Sequence, residues 1–301
     1  MKYFSSLFIL LFLTGCLSVS NNQTVQIVEP KKVVKKQEPI KAVKTKAKII
    51  KVVDCNTHPE NIIKFECFLE KAKKGDVKAQ SWVAFYYNNG KIVDKNEEEA
   101  NKWFLQAAKN GDAYSQKEVG INFLEKKDYK NAFLWLEKSA NSGDAQSQRE
   151  LAFLYEKGLG VLRNYPKAYE YFLKSAKQDD KYATYEVGYF HKQGWIVKQD
   201  YKEAMKWYQK SASLDNDYAM AEIGYLYAKG FGVDRSFDEA YKWFEKAAQK
   251  GNTYAMSWLG YFYEEGHSVQ KDITLARMWY QKSNTAYSKR KLEELNKKGL
   301  K

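Results

Sequence analysis

The feature that most constrains this chain is a segment of about 36 residues that returns six times. The positions that close the units lie 36, 32, 36, 36 and 36 residues apart. Each unit holds two stretches in which apolar residues recur every three or four positions, as on one face of a helix. A period of this length with two helices per unit predicts an α-solenoid of stacked helix pairs. The closing residues are Gly75, Gly111, Gly143, Asp179, Asp215 and Gly251.

The first stretch of each unit predicts a helix with one buried face. Ala183, Val187 and His191 follow at four-residue spacing, and a small residue comes directly after the central position in every unit. A glycine inside a helix costs about 1 kcal/mol relative to alanine, so four glycines at this position indicate close approach of a neighbouring helix. The six small residues are Ala84, Gly120, Ala152, Gly188, Gly224 and Gly260.

The second stretch carries an aromatic pair, such as Trp207 and Tyr208, which we expect to wedge between adjacent units. Between the two stretches lies a Gly-x-Gly turn, present at 158–160 and 230–232. Its glycines supply the positive φ angles that end a helix and reverse the chain. The unit at 112–143 lacks this turn and is four residues shorter, so we expect it to turn more tightly.

These units resemble the Sel1-like repeat, a relative of the tetratricopeptide repeat, over residues 75–283. The resemblance implies an all-α, right-handed solenoid of about six helix-pair repeats and a role as a protein-binding scaffold. Asp179 and Asp215 depart from the family pattern, which has glycine at the closing position. This departure affects the expected local geometry and not the fold.

The residues that flank the repeats are expected to close the two ends of the stack. We assign the repeats to 76–283. Residues 54–75 align with the second stretch of a unit, so they predict a lone N-terminal capping helix. Residues 284–301 lose the repeat pattern but keep a small apolar face, which predicts a polar C-terminal capping helix.

The first residues carry an export signal. An apolar run follows Lys2 and ends in the sequence LTGC at 13–16, which is too short to span a bilayer as a mature helix. LTGC resembles the lipobox of bacterial lipoproteins, which implies a signal peptide at 1–15 and a lipid on Cys16. An ordinary signal peptide or an N-terminal anchor is the alternative. Leu17, which is not aspartate, favours the outer membrane under the sorting rule of that family.

The other two cysteines form an even pair if Cys16 carries lipid. Cys55 and Cys67 would then be joined in an oxidising compartment, where the bridge would pin the N-terminal capping helix. The alternative is a metal site that includes His58, but it offers three ligands where structural zinc takes four. We therefore predict the disulfide, with no metal and no cofactor.

Residues 16–53 are assigned to the lipidated cysteine and a flexible tether. Residues 17–53 contain nine lysines, two glutamates and no aromatic residue, so they carry +7 of the net charge of +13 and cannot bury a core. In an exported protein these lysines point to membrane headgroups or an anionic envelope polymer, although a merely soluble linker is equally consistent. The folded part has no evident basic patch, so no nucleic-acid partner is predicted.

No catalytic set is found in the sequence, and we predict that the chain is not an enzyme. Ser288-x-x-Lys291 fits a serine β-lactamase box, but the companion boxes are absent. The favoured function is a lipid-anchored adaptor at the outer membrane, facing the periplasm. The alternative is a protein that binds peptidoglycan or hydrolyses β-lactams or the cell wall.

What remains is the surface opposite the core stripe of the first helices, where tetratricopeptide repeats line their concave groove. Tyrosine recurs there, and each ring offers a large rigid area with a hydrogen-bonding tip. We expect a groove for a protein or an extended peptide; burial between successive first helices is the alternative. The predicted groove residues are Tyr114, Tyr182, Tyr185, Tyr189, Tyr218, Tyr225, Tyr254 and Tyr261.

An acidic column runs beside these tyrosines, between Trp82 and Trp258. A solvated edge is the favoured interpretation, and a preference for basic partners is the alternative. The column consists of Glu118, Glu150, Glu186 and Glu222.

Overall fold

A computed structural model describes Cys55 and residues 62–299. This part of the chain is built from fourteen helices, each packed on the next in chain order. None of them is long and apolar enough to cross a membrane. The helices are α1 (Ile62–Lys73), α2 (Val77–Asn89), α3 (Glu97–Lys109), α4 (Ala113–Glu125), α5 (Tyr129–Asn141), α6 (Ala145–Lys157), α7 (Tyr165–Ala176), α8 (Lys181–Gln193), α9 (Tyr201–Ser213), α10 (Asp217–Lys229), α11 (Phe237–Gln249), α12 (Thr253–Glu265), α13 (Ile273–Ser283) and α14 (Ala286–Lys297).

The pairs α2–α3 to α12–α13 make the most extensive helix contacts. These six pairs coincide with the six predicted units, so the prediction of an all-α array of six helix pairs is confirmed. Each of α2–α13 begins after an Asp, Asn or Ser whose side chain accepts a backbone hydrogen bond from the first helical turn, as Asp180 does from Ala183. A cap of this kind stabilises a helix by about 1 kcal/mol. The helix starts are therefore encoded in every unit.

The closing position of each unit has a left-handed backbone. Gly251 has a φ of 92°, and Asp179 and Asp215 keep positive φ values of 60° and 68°. Aspartate tolerates this conformation better than most residues. Both carboxylates also pair with a lysine at the end of the following unit's second helix: Lys210 of α9 lies 2.9 Å from Asp179, and Lys250, which follows α11, lies 2.5 Å from Asp215. The departure from the family pattern thus preserves the turn and adds a contact between units.

The small residue in the first helix lies directly against an aromatic ring of the second helix. A Cβ built on Gly260 would stand 2.6 Å from the ring of Tyr280, and one built on Gly224 would stand 2.9 Å from Phe244. Phe244 also contacts the next unit, with its ring centroid 5.2 Å from that of Trp258. The predicted close approach and the predicted wedge between units are both confirmed.

The turns between paired helices differ as expected. Gly232 has a φ of 73°, and a Cβ there would lie 2.7 Å from the backbone of Tyr201, so this turn packs on the preceding unit. In the short unit, α4 ends only four residues before α5 begins, and Lys127 adopts a φ of 59°. The predicted tighter turn is confirmed.

A single helix lies at each end of the six pairs. At one end, α1 buries Phe65 and Phe68 and is tied to Cys55 by a disulfide from Cys67, with Cα atoms 5.8 Å apart. Closing a loop of this length stabilises a fold by about 3 kcal/mol in the chain-entropy model. At the other end, α14 packs on α13 and buries Leu295.

The disulfide uses both sulfurs that the alternative metal site would have needed. His58, the remaining ligand of that site, lies outside the described residues. So do the predicted signal peptide at 1–15, the lipid-bearing Cys16 and the tether that follows it.

Candidate binding surface on the first helices

The first helices of the six units share one outward-facing stripe. Each of α2, α4, α6, α8, α10 and α12 has thirteen residues, and positions three, seven and eight are buried or nearly so. Positions two, six and nine lie on the opposite side because a helix turns by 100° per residue. Position five lies beside them but is buried in α2, α10 and α12, at Ser81, Ala221 and Ser257. We call these four positions in the six helices the first-helix face. In α8 they are Tyr182, Tyr185, Glu186 and Tyr189.

Position two carries the most accessible tyrosines. Tyr114, Tyr182, Tyr218 and Tyr254 are between 38% and 56% exposed. Rings with this much accessible area are available to a partner, and they recur at the same place in successive units. These four predicted groove residues therefore lie on the surface.

The other predicted tyrosines lie deeper. Tyr189, Tyr225 and Tyr261, at position nine, are half-buried. Tyr185, at position five, packs its ring 5.6 Å from that of the fully buried Tyr208. Burial raises the pKa of the Tyr185 phenol well above its ordinary value, and the charge of a nearby glutamate adds to the effect. The predicted set thus spans an exposed row, a half-buried row and one residue packed into the core.

One tyrosine of this row was missed by the sequence reasoning. Tyr287 holds position two of α14 and is 39% exposed. It follows Tyr254 by 33 residues instead of 36, because α13 is two residues shorter than α11 and the turn after it is one residue shorter. A search that allowed a shortened last unit would have found it.

Basic side chains join the first helices of successive units. The Lys192 ammonium of α8 lies 2.7 Å from the Glu222 carboxylate of α10 and 5.1 Å from the ring centroid of Tyr225. Arg149 of α6 donates to Asp180, the residue that caps α8, at 2.6 Å, and its guanidinium lies 5.4 Å from the Tyr182 ring centroid. These contacts fix the rings and stiffen the face.

The acidic column is not a solvated edge, so the favoured interpretation of it was wrong. The side chains of Glu118, Glu150 and Glu222 are only 14–24% exposed, and each faces a cation. Glu186 differs, because burial, together with the negative charge of Glu156, raises the pKa of its carboxyl to about 8. The column is therefore a partly buried component of the face, and one member carries an unusual charge environment.

The remaining sequence motifs have structural roles. Ser288 is fully buried and bonded to Ser257 and Ser283, and the Lys291 ammonium lies 2.7 Å from Glu264. A buried serine whose lysine is committed to a carboxylate does not form a nucleophile with its base. His191 hydrogen-bonds with the Tyr169 hydroxyl at 3.1 Å, and the equivalent Tyr263 hydrogen-bonds with Tyr241 in a later unit.

The Sel1 repeat family matches this chain over residues 77–112, 118–144, 145–180, 181–216, 217–252 and 253–286. The chain belongs to the Sel1 repeat family. The matched segments follow the helix pairs, and the last one ends at the start of α14.

Two solved structures are similar to this Sel1 repeat protein. A Sel1 repeat protein from Oxalobacter formigenes is 27% identical, covers 74% of this chain and 91% of its own length, and has a TM-score of 0.68. A protective antigen of uropathogenic Escherichia coli with an SLR fold is 27% identical over 78% of this chain, with a TM-score of 0.69. The match spans about half of that antigen, 52% of its chain. A comparison with curated proteins finds no match.

Proposed function

We propose that this Sel1 repeat protein is a scaffold that binds another protein or an extended peptide on its first-helix face. The observation that carries the proposal is the row of exposed tyrosines at position two, which are 38–56% exposed in four of the six first helices. Sel1 repeats generally mediate protein interactions. Tyrosine is enriched in the parts of interfaces that contribute most to affinity, because its ring buries much area at little entropic cost.

The same tyrosines suit an elongated ligand. They recur in three successive units, in α8, α10 and α12, so a chain lying along this part of the array would meet a ring at each step. The half-buried tyrosines at position nine form a second row, and Lys192 and Arg149 hold rings of both rows in place. A surface that is ordered before binding loses less entropy when the partner arrives.

Photo-crosslinking tests this proposal directly. A benzophenone amino acid placed at Tyr218 should capture a defined partner in the living cell. The matched control places it at Leu134, which is 48% exposed on the second helix α5 and lies off the face. Capture of the same proteins from both positions, or from neither, would contradict the proposal.

We also propose that a lipid on Cys16 anchors the protein to the outer membrane, facing the periplasm. The supporting observations are the LTGC sequence at 13–16 and a disulfide between Cys55 and Cys67, which fits an oxidising compartment. The lysines of 17–53 would add attraction to anionic envelope polymers.

The anchor has its own test. Cys16→Ser should move the protein from the membrane fraction to the soluble fraction and remove the fatty acid from the N-terminal peptide in mass spectrometry. Wild-type protein in which Cys16 carries no acyl group would rule the anchor out.

A further inference from the structure

The last turn of a first helix contacts position six of the next first helix, and at two of these contacts the side chains carry opposite charges. Lys192, in the last turn of α8, pairs with Glu222 of α10, thirty residues later, at 2.7 Å. Near the end of the chain, Glu264 of α12 pairs with Lys291 of α14 at the same distance. These side chains are at most 15% exposed. Each contact therefore neutralises a carboxylate that is largely withdrawn from water.

The contact between α6 and α8 brings together two like charges instead. Glu156 stands where Lys192 stands one unit later, and Glu186 stands where Glu222 does. Two carboxylates thus stand at the contact where the next unit has an ammonium and a carboxylate. Among the described residues, the cation that acts on both is Lys157, whose ammonium lies 2.6 Å from Oε1 of Glu156.

Glu156 is the stronger sign that a group is missing. Its side chain is 6% exposed, and its Oε2 atom is buried without a hydrogen-bond partner in the part of the chain that the structure describes. Glu186 makes no salt bridge to any described residue. Buried carboxylate oxygens are normally bonded, and leaving one without a donor is costly.

The electrostatics agree with the geometry. Burial is the largest cause that raises the pKa of Glu186 to about 8, followed by the charge of Glu156, and Glu222 of α10 adds to it. The charge of Lys157 acts in the opposite direction. Two carboxylates share one ammonium, so the pair lacks one positive charge, and a proton supplies it while the site is empty.

We propose that the carboxylates of Glu156 and Glu186 receive a basic side chain, arginine in particular, from the polypeptide bound on the first-helix face. This inference rests on the proposed function and names the chemistry of the partner. A guanidinium carries five donors in a planar fork and can bond two carboxylates at once, which an ammonium does less well. Glu186 lies on α8 between an exposed ring, Tyr182, and a half-buried ring, Tyr189, which also favour a cation.

The test uses the full chain in detergent and a phage library of random twelve-residue peptides. Peptides selected by the wild-type protein should share an arginine, or a lysine, at one fixed position. Changing that residue to alanine should weaken binding about tenfold or more, as expected when one partner of a desolvated charge pair is removed. In Glu156→Gln and Glu186→Gln proteins the same peptide change should have little effect.

Two further variants control for folding. Glu150→Gln alters the same position one unit earlier, where Arg149 already neutralises the carboxylate, and it should keep the preference for a basic residue. Glu156→Lys recreates the arrangement of Lys192 and Glu222, so it should fold normally and lose that preference. If a glutamine variant fails to fold, this variant still tests whether Glu156 and Glu186 bind the basic residue.

Selected peptides without a fixed basic residue would overturn this inference. So would an arginine preference that survives in the Glu156→Lys protein. If such peptides still depend on Tyr182 and Tyr218, the proposed function stands and only the arginine site falls. If no peptide is selected at all, both fall together.

Discussion

Tyr208 and Tyr218 are the same residue type in neighbouring helices, and the fold treats them in opposite ways. Tyr208 of α9 is fully buried, whereas Tyr218 of α10 is 56% exposed. The ring of Tyr208 lies 2.9 Å from the place where a Cβ on Gly188 would stand. Tyr218 occupies position two of its helix, on the side away from the core. Aromatic residues at helical spacing are therefore buried where they pack against a column of small residues, and they are exposed where no such column faces them.

Truncating the two rings should give the largest contrast. Tyr208→Ala should lower the free energy of unfolding by about 3 kcal/mol or more, as large-to-small changes of buried aromatic residues do. Tyr218→Ala should change it by less than about 0.5 kcal/mol, because surface changes rarely have larger effects. Urea unfolding followed by circular dichroism measures both. Equal losses would remove the distinction between core and face.

The small-residue column can be tested from the opposite direction. Gly260→Ala should destabilise the protein by about 1–3 kcal/mol, since the added methyl group would stand 2.6 Å from the ring of Tyr280. Ala152→Gly serves as the reverse change and should cost about 1–2 kcal/mol, through helix propensity and the loss of one buried methyl group. A Gly260→Ala protein more stable than wild type, as expected for an uncrowded helical glycine, would show that the ring does not need this space.

A third contrast concerns the charge of the first-helix face. The pKa of Glu186 is raised to about 8, so the folded state holds a proton that the unfolded chain releases near pH 4.5. Stability should therefore fall as the pH rises from about 5 to about 8. The groups that set this slope are Glu156 and Lys157 of α6 and Glu222 of α10.

Glu186→Gln isolates this contribution, because glutamine keeps the shape of the side chain and cannot ionise. Thermal melts of the two proteins across that pH range should show a shallower decline for the variant. Parallel declines would mean that Glu186 titrates normally.

The fold could be predicted from the sequence because each unit repeats the same local requirements. The glycine opposite an aromatic ring, the Gly-x-Gly turn and the closing residue each have one sterically acceptable role, so their spacing determined the helix pairs. Even Asp179 and Asp215 fit, because aspartate also accepts a left-handed backbone.

The face was harder to predict, because exposure at a given helical position depends on how closely successive first helices approach. Helical spacing placed Tyr185 beside Tyr182, yet only the packing of α8 on α9 shows that Tyr185 contacts the buried Tyr208. The glutamates were taken for an edge because the lysines and the arginine that neutralise them come from other positions of the face or from the preceding unit. Comparing charged residues thirty residues apart in successive units, such as Lys192 with Glu222, would have drawn attention to Glu156 and Glu186.

The central claim is that the exposed tyrosines of the first-helix face bind the partner, and an affinity measurement tests it most directly. The partner captured through Tyr218 would be titrated calorimetrically into wild-type protein, into the triple variant Tyr182→Ala, Tyr218→Ala, Tyr254→Ala, and into the control Leu134→Ala, Leu162→Ala, whose leucines are exposed off the face. The triple variant should keep its melting temperature and lose at least about 3 kcal/mol of binding free energy, at about 1–2 kcal/mol per ring. The control should bind as wild type does. Wild-type affinity in a folded triple variant would contradict the account.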